Sequence, residues 1–500
     1  MKNKMPAYKT LEKIFKKLND LEQVQAVLSW DNAVVMPNGG ARARSEQLAT
    51  LKSLQHAILT DQGVSDLIAK AQDEQRNLSG WQKANLREIQ RIFKHSSAVP
   101  RKLLQELSKA GSHCEMVWRQ ARKENNFPML VAPLKRVVEL VREIAQIKGE
   151  VLGMSAYDSL IDQYDPGLRT ENLDVIFADI KNFLPDFVAK VTEKQKQENK
   201  IIPINAQIST EKQKLVAGEL LKIMKFDTNK GRLDESHHPF CGGYQGDIRI
   251  TSRYNENDFM SSLMAVMHEL GHAMYENGLP ENWSGQPVGQ ARGMSVHESQ
   301  SLLIEMQVCR SPEFMNFITP KLKEIFGVTG DEWTADNLYN ICNKVEPSLI
   351  RVDADEVTYP GHIILRYYIE KYLISGDMTV EDLPDAWRQG MEKFVGVVPT
   401  DDANGCMQDI HWMDGTFGYF PTYAMGAIYA SQIFATAKTA LPTLGEDITQ
   451  GDFTNLISWL NKNLHDKASR FETPDLINST TGKTIDLDVY KNHLTSRYLG

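Results

Sequence analysis

The sequence predicts a mainly α-helical protein carrying one small β-sheet, and three observations lead there. Apolar residues recur at helical spacing in the first two hundred residues, as in Leu11, Ile14, Phe15, Leu18, Leu21, Val24 and Val27. After about Asp227 the character changes: Gly231, Gly242, Gly243 and Gly246 surround His237-His238-Pro239-Phe240 and lead into Asp247-Ile-Arg-Ile-Thr251, where polar and apolar residues alternate as in a strand. Helical patterning then resumes at Asp258 and recurs down the rest of the chain.

In order along the chain, a first helix ends in a turn-rich link over 28–40, which holds Pro37, Gly39 and Gly40. Further helices are expected near 43–59, 81–95, 101–124, 130–148 and 172–196. Pro100, Pro128 and Pro133 sit at or near helix starts, where a missing N–H costs no intrahelical bond. The glycines after Asp227 suggest a short hairpin, and the polar-faced strand ending at Thr251 offers an edge with which an extended peptide could pair. The next helix runs over 258–278, with Asn257 or Asp258 as N-cap and Gly278 just past its end. A helix from about Ser295 to Val308 follows, then others near 334–349, 355–375, 380–395, 422–438, 451–464 and 485–496. With no internal repeat and no long linker, residues 1–500 read as one unit: a helical scaffold over 1–226, and the chemistry over 227–500.

Composition narrows the function classes. Hydrophobic content of 42% and charged content of 24% are ordinary for a soluble globular protein. A net charge of -9 argues against a general nucleic-acid binder. Cys114, Cys241, Cys309, Cys342 and Cys406 form no C-x-x-C pair, and no apolar run follows the N-terminal lysines, so a reducing cytoplasm is the expected location. The uncharged stretch from Thr416 to Ala437 is long enough to span a bilayer. Its Pro421, Gly418, Gly426, Gln432, Tyr419, Tyr423 and Tyr429 fit a buried, tyrosine-lined segment better, and no membrane partner is expected.

The 258–278 helix is apolar on every side, which marks it as buried, yet His268, Glu269 and His272 lie inside it. Four residues apart, the two imidazoles project from one face. This is the H-E-x-x-H pattern, in which two histidines hold zinc and the glutamate is a general base. A catalytic zinc takes a third protein ligand and keeps one position for water, whose pKa it lowers to about 7. His297, Glu298, Glu276 and Glu305 are the candidates, and spacing alone does not choose among them. The chemistry indicated is peptide hydrolysis by a metal-activated water, with Glu269 taking the proton.

Several motifs then fall in order along the chain: His238-Pro-Phe240, Asp247-x-Arg249-x-Thr251, His268-Glu269-x-x-His272, His297-Glu-Ser-Gln300, Ile350-Arg-x-x-Ala-Asp355 and Gly405-x-x-Gln-Asp-x-His-Trp412. With Trp30-Asp31, Met36-Pro37 and Arg44-x-x-Gln47, this set resembles the carboxypeptidase Taq family. The resemblance implies a large helical, neurolysin-like fold with a deep central groove and a homodimer. It implies removal of single residues from peptide C-termini, with broad specificity that disfavours proline. Glu298 becomes the third ligand by the same resemblance, and the metal is zinc, with cobalt as the alternative that imidazole and carboxylate ligands also suit. A terminal carboxylate requires a cation, so Arg351 and Arg249 are substrate-binding candidates; the alternative for Arg249 is an ion pair with Asp247. His411 and Tyr423 are candidate donors to the developing oxyanion, with Tyr419 and His238 as further substrate contacts. Two other readings compete: a zinc endo-oligopeptidase with the same site in an open groove, and a metal-stabilised peptide-binding scaffold without turnover.

Overall fold

A computed structural model describes residues 5–198 and 201–500. The first half is a succession of helices: α1 (Pro6–Val34), α2 (Ala41–Leu59), α3 (Gln62–Asp73), α4 (Gly80–Ser97), α5 (Arg101–Lys123), α6 (Pro128–Leu152), α7 (Ala156–Tyr164), α8 (Thr170–Glu198) and α9 (Thr210–Ile223). Local chemistry sets several of the boundaries. Ser79 and Gln82 form a reciprocal capping box at α4, and Pro128 opens α6. Pro133, expected at a helix start, lies within α6 instead. The turn expected over 28–40 is shorter than its composition suggests: α1 continues through Trp30, which is buried, and Asp31 to Val34. α3, α7 and α9 were not expected.

α1, α3 and α4 share a small core of Tyr8, Leu11, Phe15, Ile68, Ala71, Leu86 and Ile89. The principal core is continuous from Cys114 on α5 to Tyr498 near the C-terminus. It is crossed by a three-stranded sheet of β1 (Gly231–Glu235), β2 (Cys241–Tyr244) and β3 (Asp247–Ser252), in the order β1-β3-β2. The hairpin is β2–β3, and β1 joins β3 in parallel, with Arg232 opposite Arg249. Gly243 sits at φ 88°, where a Cβ would lie 2.1 Å from the Asp247 carbonyl oxygen, so only glycine closes this hairpin. β3 is therefore the central strand, and the free peptide-pairing edge expected for it does not exist. Ile248 and Ile250 are fully buried toward the helix that follows.

That helix, α10 (Phe259–Asn277), packs on the sheet. Beyond it come α11 (Met294–Leu302), a π-helix (Leu303–Cys309), α12 (Pro312–Phe326), α13 (Ala335–Cys342), α14 (Tyr359–Ser375), α15 (Leu383–Phe394) and α16 (Pro421–Ala440). α17 (Leu444–Gln450), α18 (Thr454–Asn463), α19 (Thr473–Thr481) and α20 (Leu487–Tyr498) complete the chain. The helix expected over 334–349 stops at Cys342, and α12, α17 and α19 were not foreseen. α16 is almost wholly buried, as the stretch from Thr416 to Ala437 suggests, and among the described residues no helix is long and apolar enough to cross a membrane. The fold is the expected mainly helical one with a small sheet beside the α10 helix.

Candidate active site

The Asp258 side chain caps α10 by accepting from the Ser261 N–H, which fixes where the helix begins and hence where its polar face points. His268 and His272 stand one turn apart with ring centroids 5.0 Å apart. Gly271, between them, allows α11 to come close: a Cβ there would lie 2.5 Å from the Gln300 carbonyl oxygen and 2.6 Å from Ser301 Cα. That approach brings Glu298 over the two imidazoles. Its Oε2 is 3.5 Å from His272 Nε2 and 4.0 Å from His268 Nε2, and the three donor atoms lie within 4.8 Å of one another. Metal bonds of about 2.0–2.2 Å in a tetrahedral arrangement place donors roughly 3.3 Å apart, so small side-chain movements complete a divalent-cation site here.

Each imidazole is turned by an acceptor on its far nitrogen. His268 Nδ1 is 2.9 Å from Glu305 Oε2, and Glu305 in turn accepts from Arg310 Nη2 at 3.0 Å. His272 Nδ1 faces the His297 carbonyl oxygen at 3.1 Å and His297 Nδ1 at 2.7 Å, while His297 Nε2 donates to Glu276 at 2.8 Å. The three residues weighed against Glu298 as ligands, His297, Glu276 and Glu305, are thus its supporting shell. Such partners leave Nε2 of each ligand imidazole free for the metal.

With the protein's own charges, burial works against a charged His268, but Glu305, Glu298 and Glu269 raise its pKa to about 10. Burial and the neighbouring His297 lower that of His272 to about 4. Burial alone would raise Glu298, yet the surrounding imidazoles hold it down at about 2. Glu269 differs from Glu298: burial pushes it up to about 7, with His268 opposing, and its Oε2 is buried without a hydrogen-bond partner among the described residues. One carboxylate beside the imidazoles is held ionised, as a metal ligand would need to be, and the other is pushed toward neutrality.

On α16, Tyr423 lies one turn before Gly426, the residue that touches Glu298, and carries the site toward a second charged group. Arg351 lies 5.2 Å from the Tyr423 ring centroid and pairs with Asp409 Oδ1 at 2.8 Å. The fully buried Arg366 pairs with the other oxygen of Asp409 and donates to Gln408 Oε1. Two guanidiniums share one carboxylate, so this cluster keeps a net positive charge. Despite burial, the arginines hold Asp409 well below the usual carboxylate range. His411 and Tyr419 stand nearby, with ring centroids 5.9 Å apart, and Tyr419 is 5.2 Å from Tyr423. Burial lowers the His411 pKa to about 4, so the ring is neutral; its Nδ1 has no partner among the described residues. Burial raises Tyr423 to about 12, which keeps its hydroxyl a donor.

The structure brings together His268, Glu269, His272 and Glu298, and gathers Arg351, His411, Tyr419 and Tyr423. Arg249 stands apart from both groups: it forms a two-bond pair with Asp247 at 2.8 and 2.9 Å and lies 4.3 Å from the Trp30 ring centroid. His238 is exposed, its ring against His237. Sequence reasoning singled out Arg351 as a substrate-binding candidate and missed its partner Asp409 and the second arginine, Arg366; Asp409, inside the Gly405–Trp412 motif, was the available signal.

A mainly helical protein whose buried H-E-x-x-H helix receives a carboxylate from the next helix, with a second, unpartnered carboxylate beside it, is a metallopeptidase. The model of the carboxypeptidase Taq (M32) metallopeptidases matches residues 10–498. Thermostable carboxypeptidase 1 of Thermus thermophilus is 35% identical over 503 residues, covering 98% of each chain, and carboxypeptidase 1 of Bacillus subtilis is 31% identical, covering 97% of this chain and 96% of the relative. The solved structure of Trypanosoma cruzi metallocarboxypeptidase 1 superposes with a TM-score of 0.97 at 35% identity, covering 99% of this chain and 100% of that one. The chain belongs to the carboxypeptidase Taq family; it is a metallocarboxypeptidase, and its activity requires a divalent metal.

Proposed function

We propose that this protein removes single residues from the C-termini of peptides, with zinc as its native metal, cobalt being the alternative that the same ligands accept. His268, His272 and Glu298 hold the metal. When bound, the cation supplies Lewis acidity to the scissile carbonyl and to the attacking water. Glu269 takes the water's proton and returns it to the leaving nitrogen, a role that its buried, unpartnered oxygen supports. Tyr423 and His411 donate to the oxyanion, and Tyr419 assists in holding the substrate.

The observation that carries the terminal specificity is the net positive Arg351–Asp409–Arg366 cluster, reached from Glu298 through Gly426 and Tyr423. A peptide's terminal carboxylate is the group such a cluster receives, with Arg351 making the contact. Arg249, held by Asp247 and Trp30, supports the sheet behind α10, and His238 contributes at most a peripheral contact. Side-chain specificity is broad, and a terminal proline is disfavoured because its ring locks φ and removes the N–H of the scissile amide. The whole chain works as one unit, 1–226 as scaffold and 227–500 as metal site and groove. It acts as a cytoplasmic homodimer on peptides, without nucleic-acid partners.

Comparing hydrolysis of a blocked dipeptide with that of its C-terminal amide tests this reading. The free acid should be cleaved and the amide spared. Equal rates would remove the carboxylate-recognition role, and internal cleavage of an amidated peptide would replace it with an endo-oligopeptidase.

A further inference from the structure

Behind the loop that carries His411 and Tyr419 lies a carboxylate that no part of the metal chemistry uses. Glu370, on α14, is fully buried. Its Oε1 accepts from Trp412 Nε1 at 2.8 Å, and its Oε2 accepts from the Gly418 N–H at 2.8 Å and from the Tyr157 hydroxyl at 2.7 Å. Trp412 directly follows His411, and Gly418 directly precedes Tyr419. One side chain therefore ties both ends of the 412–418 segment. Gly418 takes φ 85°, and a Cβ on it would stand 2.7 Å from the Leu160 carbonyl carbon, so the chain is pressed against α7 at the point where Glu370 holds it.

The segment also packs into the core: Trp412, Met413 and Phe417 are buried, and the Thr416 N–H donates to the His411 carbonyl oxygen at 2.7 Å. Trp412 packs edge-on to Trp387 and Phe420, with centroids 5.8 and 6.2 Å away, and stacks on Phe417 at 6.3 Å, while Glu370 ties both ends of the segment to α14. Three donors are supplied to one carboxylate, two from the loop and one from α7. A buried ionised carboxylate costs several kcal/mol of solvation unless such donors replace the water. A neutral amide at this position would turn an N–H toward at least one of the three donors.

We propose that Glu370 is a positioning residue for catalysis: it fixes the 412–418 segment so that His411 and Tyr419 meet the substrate. The inference rests on the reading of His411 and Tyr419 as substrate-facing groups, and its test keeps the two apart. The metal-loaded, full-length enzyme is assayed on a blocked dipeptide as wild type, Glu370→Gln, Trp412→Phe and Tyr157→Phe. Trp412→Phe keeps an aromatic ring and removes the loop's side-chain donor together with part of a buried indole, leaving the Gly418 N–H in place; Tyr157→Phe removes the donor that lies outside the loop. Displacement of a catalytic group by about 1 Å costs as much as 10²-fold. Trp412→Phe should therefore lower kcat/KM roughly 10- to 100-fold at a temperature where it is fully folded, with faster amide exchange over 411–420. Tyr157→Phe should lower the melting temperature and leave kcat and KM near wild type.

A double-mutant cycle between Trp412→Phe and Tyr419→Phe should show strongly non-additive losses. Should Glu370→Gln fail to fold, the Trp412 and Tyr157 pair still decides the question. Folded Trp412→Phe with wild-type kcat and KM, or losses additive with Tyr419→Phe, would overturn the positioning role. If Tyr419→Phe and His411→Asn themselves leave kcat/KM unchanged, the substrate-facing reading of those two residues falls instead.

Discussion

A Cβ on Gly426 of α16 would stand 2.8 Å from Cγ and 2.9 Å from Cβ of Glu298 on α11. These are atoms near the backbone of the metal ligand, so they cannot swing aside as a side-chain tip would. The proposed metal site is therefore built by three helices: α10 gives the imidazoles, α11 the carboxylate, and α16 the space into which that carboxylate fits.

Gly426→Ala follows directly. The added methyl displaces Glu298 at an overpacking cost of about 1–3 kcal/mol, and metal affinity should fall about 10- to 100-fold, as for other disturbed ligand supports. Chelator competition on the purified variant measures it. Unchanged affinity would mean that α16 yields without moving Glu298.

Glu305→Gln removes the acceptor that turns His268. With Glu305 and its neighbours raising the His268 pKa to about 10, the ring carries a proton at pH 8, and metal binding has to displace it. Calorimetry in buffers of different ionisation enthalpy should show about one proton released from this ring by the wild type. The variant should release fewer protons and bind about 10- to 100-fold more weakly. Equal proton release by the two proteins would exclude Glu305 as the source of the shift.

The acid limb of the pH–rate profile should report Glu269. Burial raises its pKa to about 7, so the carboxylate form, which is the base, is present above that value and lost below it. A bound cation nearby stabilises the carboxylate, so the limb should fall above the ordinary 4.5 and not above about 7. Glu269→Gln should lose on the order of 10²–10⁴ in kcat while retaining metal. Full activity in that variant would remove Glu269 from the mechanism.

Arg351→Met should weaken carboxylate recognition while leaving metal content intact. A hydrogen bond to a charged group contributes about 1.5–3 kcal/mol, which is roughly 10- to 150-fold in kcat/KM. The preference for a free acid over its amide should shrink with it. Arg366→Met also removes the cluster's net charge, but because Arg366 is fully buried it should lower stability as well. Arg351→Met with undiminished acid preference would move carboxylate recognition elsewhere.

The metal helix was legible because its signal is local: two histidines four apart in an apolar helix need no knowledge of the rest of the fold. Spacing alone did not single out the third ligand, for which Glu298 came from the resemblance. Glu298 and Glu305 share a face in an ideal α-helix, so spacing left them equivalent, but the chain winds into a π-helix at Leu303 and turns Glu305 to the outer nitrogen of His268. The Arg351–Asp409–Arg366 cluster joins residues far apart in sequence, and the parallel pairing of β1 with β3 depends on a register that alternation alone does not give. Composition misplaced the end of α1, where Pro37 and two glycines suggested a turn from residue 28, whereas the helix runs on to Val34.

The same π-helix is held from behind by the C-terminal helix, and this makes a stability prediction. Glu356 accepts from Arg497 Nη1 at 2.8 Å and from the Tyr498 hydroxyl at 2.9 Å, and pairs with His493 Nε2 at 2.8 Å. Arg497 also donates to the carbonyl oxygens of Met306 and Gln307 within the π-helix. Although burial opposes ionisation, Arg497 and His493 hold the Glu356 pKa well below its ordinary 4.5. A carboxylate lowered in the folded state contributes stability that is fully present above its unfolded pKa and is lost as pH falls toward the folded one. Glu356→Gln leaves Arg497 buried without its counter-charge and should cost about 3–5 kcal/mol at pH 7. In urea unfolding, the gap between wild type and variant should narrow as pH drops below about 4.5, where the unfolded carboxyl gains its proton. A gap that stays constant from pH 7 to pH 3 would show that the loss comes from packing of α20 and not from the Glu356 charge.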